Sequence, residues 1–353
     1  METQVTTGLL IQKAIEAGRE MAYRKPGSST ETGIGMFTVK SANDTIREAK
    51  AQPDPEPFWM SMWYEGEVCC LFSDSNLGKS ILAVQIASLI AGKQKVLYFD
   101  FELSDKQFQL RYTDDNTGEL HLFPPDLYRV VIDSRTYDVE DFEMRVIADI
   151  EEAAVQTGAK VLIIDNLTYL CNSSEKGDAA GHLMMRLIRL KQARTLSLLV
   201  LAHTPKRQLS EAITQNDLAG SKKLYNFFDS VFAIGKSAQD GNLRYVKQIK
   251  VRYGGYEYDG DNVAVFEIAK TGSFLRFIPK GFATERAHLR EKSDKEDAEF
   301  HNNVWTLHEQ GMSHRKIAER LGVSESKAFR TLDKLKKEKE TAPPASSASL
   351  ASG

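Results

Sequence analysis

Residues 71–80 read LFSDSNLGKS, and the last three letters, Gly78-Lys79-Ser80, close the phosphate-loop pattern G-x-x-x-x-G-K-[ST]. A loop of this kind wraps backbone N–H groups around phosphate oxygens. Its lysine neutralises their charge and its hydroxyl ligates Mg²⁺. The candidate nucleotide-binding residues are Ser73, Asp74, Ser75, Asn76, Leu77, Gly78, Lys79, Ser80 and Ile81. Ser73 stands where the pattern has its first glycine. That position mainly requires a small side chain, so a slightly altered loop is expected rather than a dead one. Three further groups suit the same chemistry. Asp165 ends the apolar run VLIID, where a carboxylate is costly without a task, and is the expected second Mg²⁺-organising group. Glu102 follows Asp100 by two residues in KVLYFDFE, on the same face of the chain, and is the candidate base that orients an attacking water. Asp100 is expected to be structural. His203 closes LSLLVLAH, where a polar residue can sense a γ-phosphate.

These side chains need a scaffold that brings distant chain segments to one place. From Glu67 onward short apolar runs alternate with helical stretches: EVCCLFSD, KVLYFDFE, LYRVVIDS, KVLIIDN and LSLLVLAHT. The runs do not alternate polar with apolar, which predicts strands buried on both faces of a parallel sheet. Segments such as SILAVQIASLIAG and AGHLMMRLIRLKQA carry apolar residues at helical spacing, so the core is expected to be a doubly wound α/β layer structure. After Asp229 the runs SVFAIGKS, LRYVKQIKVRY, NVAVFEIAK and SFLRFIPKG are joined by short turns. They predict hairpin-connected antiparallel strands extending one edge of the sheet.

The chain divides into a partly flexible segment 1–52 with one helix near Leu9–Tyr23, an ATPase-sized α/β domain 53–282, a charged solvated stretch 283–300, a small helical unit 301–340 and a low-complexity tail 341–353. Of its 353 residues, 42% are hydrophobic and 27% charged, the values of an ordinary soluble globular protein. A net charge of −3 gives no global attraction to nucleic acid or acidic lipid, so any such contact must come from local patches. The three cysteines, Cys69, Cys70 and Cys171, lack metal-ligand spacing and read as reduced, buried residues. There is no basic-then-apolar leader, and no apolar run approaches ~18 residues, so a cytoplasmic location is expected.

The phosphate loop, Glu102, Asp165 and His203, in this order and spacing, resemble the RecA-like ATPases, in particular the hexameric helicases of DnaB and plasmid RepA type. The stretch FDFELSDKQFQLRY is similar to that family's second-strand motif, which implies Glu102 as the catalytic glutamate and Arg111 as the arginine of the following helix. The stretch KQIKVRYGG is similar to its K-x-R-x-G element, which implies that Lys250 and Arg252 are offered to the nucleotide of a neighbouring subunit. A cation supplied in trans stabilises charge on the transferring phosphoryl group. The resemblance covers roughly Phe58–Pro279. It implies a RecA-like P-loop NTPase core, ATP and Mg²⁺ as ligands, and self-association as a hexamer.

By the same resemblance, the loops CNSSEKGDAAGH and TPKRQLSEAITQNDLAGSKK would face a central channel. There Lys206, Arg207, Lys222 and Lys223 would contact the phosphates of single-stranded DNA. The C-terminal unit reads as a helix-turn-helix: Ser313 caps a helix carrying Ile317, Ala318 and Leu321, Gly322 turns the chain, and Ser324 caps a second helix. From His301 to Glu340 nine Lys or Arg stand against six Asp or Glu, so the unit is locally basic. Glu325, Ser326, Lys327 and Arg330 are the candidates for duplex contact in a major groove. Two functions are then expected to compete: an ATP-driven DNA motor, a hexameric helicase of a plasmid or mobile element, and an ATP-switched DNA-binding regulator or recombination accessory factor.

Overall fold

A computed structural model describes residues 32–133, 142–167, 179–204, 208–218, 222–290 and 294–341. The helix expected near Leu9–Tyr23 lies outside these residues. The chain divides into two units, Met1–Pro57 and Phe58–Gly353. The first contains a hairpin of β1 (Thr32–Ile34) and β2 (Phe37–Val39), followed by α1 (Ala42–Ala49). Sequence reading missed this hairpin because three-residue strands carry too few side chains to show a period.

The second unit opens with two short paired strands, β3 (Pro57–Trp59) and β4 (Trp63–Tyr64), and is built on a nine-stranded sheet. The sheet strands are β5 (Val68–Ser73), β6 (Val96–Asp100), β7 (Leu127–Val130), β8 (Val161–Asp165), β9 (Ser197–His203), β10 (Ser230–Lys236), β11 (Leu243–Lys250), β12 (Val263–Thr271) and β13 (Phe274–Ala283). Their spatial order is β13-β12-β11-β10-β5-β9-β8-β6-β7. The six strands from β10 to β7 are mutually parallel, and β11, β12 and β13 add as antiparallel neighbours.

Two strand expectations need correction. SVFAIGKS is not part of the antiparallel extension alone, because β10 pairs parallel with β5 on one side and antiparallel with β11 on the other. In the crossover that permits this, the described residues hold one α-helix of six residues, α6 (Lys222–Phe227), too short to announce itself in sequence. Of LYRVVIDS only Leu127–Val130 is strand, and it forms the sheet edge, so it is half-exposed rather than buried on both faces.

The helices are α2 (Lys79–Ala91), α3 (Asp105–Arg111), α4 (Phe142–Thr157), α5 (Ala179–Arg194) and, past β13, the short α7 (Glu285–His288). On one face, Ile147 and Ile150 of α4 and Leu183 and Leu187 of α5 pack on β5, β8 and β9. On the other, Leu82, Ile86 and Ile90 of α2 pack with Trp59 and Trp63. Helix α2 is also clasped from outside. The Gln85 amide donates to the Phe277 carbonyl at 3.1 Å and accepts the Phe277 N–H at 2.8 Å, pinning β13 along the helix.

The stretch after Ala283 is not simply a solvated linker. Glu285 and His288 are buried, and the Glu285 carboxylate accepts from Lys247 Nζ at 2.6 Å and from the Ile213 N–H at 2.7 Å. Both charges of this pair are satisfied, which is what allows them under the sheet edge. Beyond it, α8 (Asp294–Glu309), α9 (His314–Leu321) and α10 (Glu325–Thr341) enclose a small core of Val304, Ile317, Ala318, Ala328 and Leu332. Gly322 takes φ 65° between α9 and α10, a conformation that favours glycine. The Ser324 hydroxyl accepts the Lys327 N–H at 3.2 Å, whereas Ser313 sits at the start of α9 without a side-chain cap bond. Among the described residues no helix is long and apolar enough to cross a membrane.

Candidate nucleotide site

Register brings the candidate residues together. Ser73 at the end of β5 pairs with His203 at the end of β9, and Asp100 at the end of β6 pairs with Asp165 at the end of β8. All four lie along one sheet edge, the carboxyl ends of parallel strands, where ligands of such folds bind. Residues 74–78 leave β5 at this edge and run directly into α2. Gly78 has φ 94°, and a Cβ there would lie 2.8 Å from Ile268 Cδ1 and 3.0 Å from the Phe277 ring. Backbone conformation and the flanking β12–β13 hairpin therefore both demand glycine.

Lys79 is buried and folds over the loop. Its Nζ donates to the carbonyls of Ser73 (3.1 Å) and Asp74 (3.3 Å) and to Ser73 Oγ (3.3 Å), and lies 3.2 Å from His203 Nδ1. Burial pulls its pKa down, while Asp165, Glu102 and Asp74 push it back up. The Ser73 hydroxyl donates to the Asp74 carbonyl at 2.8 Å, so the serine stiffens the loop and gives Lys79 one contact. A glycine loses both hydroxyl contacts, the one from the Lys79 ammonium being long, and keeps the backbone carbonyl contact at this position. Ser73→Gly is expected to change steady-state ATP turnover by less than about fivefold.

Asp165 is fully buried beside Ser80. The Tyr98 hydroxyl donates to Asp165 Oδ2 at 2.6 Å. Burial raises the Asp165 pKa to about 6; hydrogen bonds from Ser80 and Tyr98 lower it, and the charges of Glu102 and Asp100 raise it. A hydroxyl and one carboxylate side by side suit Mg²⁺, which takes one or two protein groups and completes its shell with phosphate oxygens and water. No cluster of three or more His, Cys, Asp or Glu suited to a metal occurs among the described residues.

Glu102 does not continue the strand face of Asp100, because β6 ends at Asp100 and the chain bends. Asp100 causes the bend. Its Oδ1 accepts the N–H groups of Glu102 (3.2 Å) and Leu103 (3.0 Å), and its Oδ2 accepts from Arg129 Nε at 2.9 Å. The bend swings the Glu102 carboxylate over the site. There Asn166 Nδ2 donates to Glu102 Oε1, and His203 Nε2 lies 3.5 Å away. The Glu102 pKa is held down, first by the His203 hydrogen bond and then by the charges of Lys79 and Arg111, against the opposing effect of burial.

Four contributors escaped the sequence reading. Arg129 left a signal, a charge inside the apolar run LYRVV, and its guanidinium also bonds Asp105 (2.6 Å) and the Leu103 carbonyl (2.6 Å). Tyr98 was hidden among strand residues. Thr204, whose hydroxyl donates to Asp74 Oδ1, and Asn166 gave no signal by type.

Other candidates lie elsewhere. Lys250 pairs across to Val231, and Arg252 Nη1 reaches Asp229 at 2.8 Å, whose carboxylate accepts the Val68 N–H at 2.9 Å. Val68 opens β5 and Ser73 closes it, so Arg252 stands about 16 Å of strand away from its own phosphate loop. Lys250 Nζ donates to the Tyr225 carbonyl at 3.2 Å and lies over the Tyr225 ring. Lys206 and Arg207 lie outside the described residues, as does the loop 171–178; Lys222 and Lys223 begin α6.

On the C-terminal unit, Lys327 is not turned outward as expected of a groove contact. It pairs with Glu211 of the segment after β9, and its Nζ lies 4.9 Å over the Phe300 ring. Glu325 pairs with His314 at 3.2 Å. The start of α10 and residues 211–218 together line a polar cleft of about 670 Å³. Ser326 and Arg330 are exposed, with Arg330 Nε bonded to the Ser326 carbonyl at 3.1 Å. The cause is local: Lys327 sits between an acidic side chain and an aromatic face, both of which favour an ammonium.

Residues 38–208 match the model of a family described as an AAA domain. The matched stretch, a little under half of the chain, is thus similar to a P-loop ATPase domain, and the mixed sheet is an α/β core followed by C-terminal helices. No curated protein matches the chain. Among solved structures, a KaiC-like protein from the hyperthermophilic archaeon Pyrococcus horikoshii is similar at 14% identity, over 62% of this chain and 91% of that chain, with a TM-score of 0.44.

Proposed function

We propose that this P-loop ATPase domain hydrolyses ATP with Mg²⁺ and couples the reaction to DNA as a self-assembling motor of the hexameric helicase type. The observation that carries the hydrolytic part is the convergence of Lys79, Glu102, Asp165 and His203 at one sheet edge. Loop N–H groups and Lys79 would bind the phosphates, and Ser80 with Asp165 would hold Mg²⁺, which when bound neutralises charge on the phosphoryl oxygens. Glu102, kept ionised, is suited to orient and deprotonate water. His203 touches both Lys79 and the Glu102 carboxylate, so it links phosphate occupancy to the base and, through Thr204, to the chain that follows.

The assembly part is supported by the position of Lys250 and Arg252. A residue at the far end of the sheet from its own loop is available to the nucleotide of a second copy. The DNA part is supported by the basic three-helix unit, through the exposed Ser326 and Arg330, and by Lys206, Arg207, Lys222 and Lys223 in or beside the segment after His203. One observation favours a second reading, an ATP-switched DNA-binding regulator: Lys327 is held by Glu211, eight residues past His203. Such a contact ties the DNA-binding unit to the segment nearest the nucleotide.

DNA-stimulated ATPase and strand-displacement assays on wild type and Lys79→Ala separate these readings. Lys79→Ala is expected to lose ATP turnover by at least about 100-fold, because the ammonium is the central cation of the loop. Unwinding by the wild type supports the motor, and DNA-stimulated hydrolysis without unwinding supports the regulator. Hydrolysis by Lys79→Ala at the wild-type rate would remove the site itself.

A further inference from the structure

Asn166 directly follows Asp165 and is buried, with 3% of its surface exposed. Its side chain lies between two groups of the hydrolytic set, with Nδ2 on Glu102 Oε1 and 3.1 Å from His203 Nε2. Lys79 is a pure donor, so His203 Nδ1, 3.2 Å away, must accept. That leaves the hydrogen of a neutral imidazole on Nε2, which then points toward Glu102 Oε1 rather than accepting from Asn166. Asn166 must in turn present its amide nitrogen to the carboxylate, since its oxygen there would set two acceptors against each other. Asn166 and His203 thus both aim N–H donors at Oε1 of Glu102. One carboxylate oxygen is fixed, and among the described residues none bonds the other, which is left to act on water.

We propose that Asn166 is the positioning residue for Glu102: it fixes the plane and orientation of the carboxylate together with His203, without itself binding nucleotide. The inference rests on Glu102 as the base, so Glu102→Gln is included as a separate arm.

The test uses steady-state ATPase kinetics and fluorescent-ATP binding on the full chain, with melting curves to confirm folding. Asn166→Ala is expected to lower kcat about 10- to 100-fold, the worth of a hydrogen bond to a charged group. KM for ATP and the nucleotide Kd should stay within about twofold. Asn166→Asp, nearly the same shape, should be worse than Asn166→Ala, because it sets a second carboxylate against Glu102. In a Glu102→Gln background the penalty of Asp over Ala should vanish, since the repelled charge is gone.

A merely structural role predicts the opposite pattern, with Asp no worse than Ala and losses that add to Glu102→Gln. Either of those results, or an effect confined to KM, overturns the proposal. Should Asn166→Asp not fold, non-additivity of Asn166→Ala with Glu102→Gln decides alone, and additive losses overturn it. Full activity of Glu102→Gln would instead sink the base assignment, and the positioning role with it. Loss in Glu102→Gln with wild-type activity in the Asn166 variants would sink the positioning role only.

Discussion

Glu102→Gln is expected to bind nucleotide as tightly as wild type and to turn it over about 10²- to 10⁴-fold more slowly, the usual contribution of a positioned general base. The isosteric amide keeps the shape of the side chain and its place above the site. What it loses is the negative oxygen that takes a proton from water. It also faces the donors of Asn166 and His203, which now meet a weaker acceptor. Binding and turnover should therefore separate. Rapid-quench measurement of a single turnover, beside an equilibrium binding titration, checks both halves. A variant that hydrolyses within about threefold of wild type, or that fails to bind, removes Glu102 from the role.

Arg129→Ala is the second large effect, and it acts on the fold. The Asp100 side chain is wholly buried, and Arg129 is its cationic partner at 2.9 Å. Removing one member of such a pair leaves an uncompensated charge, at a cost of about 3–5 kcal/mol. The guanidinium also holds Asp105 and the Leu103 carbonyl and covers the Phe108 ring at 4.8 Å, so packing is lost with the charge. Urea unfolding should show a loss of about 3 kcal/mol or more. Turnover should fall as well in whatever fraction stays folded, because Asp100 shapes the bend that presents Glu102. Arg129→Lys should recover part of the stability but less of the activity, since an ammonium cannot reproduce the guanidinium fork. A loss below about 1 kcal/mol for Arg129→Ala would show that the backbone N–H groups alone satisfy Asp100.

The parallel core was legible because strands buried on two faces must be continuous apolar runs, and VCCLFS, VLYFD, VLIID and SLLVLAH are such runs. Their spatial order was not legible, since pairing is a long-range property that local pattern does not encode. Strand β10 misled for a related reason. Its own residues look the same whether its neighbour runs parallel or antiparallel, and only the length of the crossover tells. At the site, a carboxylate at the end of VLIID and a lysine after Gly78 stood out by type, whereas a histidine at a strand end, ordinary by itself, gained weight only from their company. Asn166 and Tyr98 did not, because an asparagine after a strand or a tyrosine within one is ordinary. Their roles follow from the register that sets β6 beside β8. Lys327 shows the converse. Its charge and its place near the start of α10 suggested DNA, and the fold gives it to Glu211 and Phe300.

That last contact has a consequence in solution. One ammonium cannot serve a carboxylate of its own chain and a backbone phosphate of a duplex at once. Lys327 is partly covered and Glu211 largely open to water, and a pair so screened contributes about 1 kcal/mol. Breaking this pair would therefore shift an equilibrium of the C-terminal helices by only a few-fold. Ionic strength acts on both sides of that balance: added salt loosens the internal pair weakly, and it weakens a multi-phosphate contact steeply, as a power of concentration. The chain's hold on its own helices is thus the more salt-tolerant of the two. If the proposed DNA contact uses Lys327, the surrounding electrolyte would set which partner the ammonium keeps.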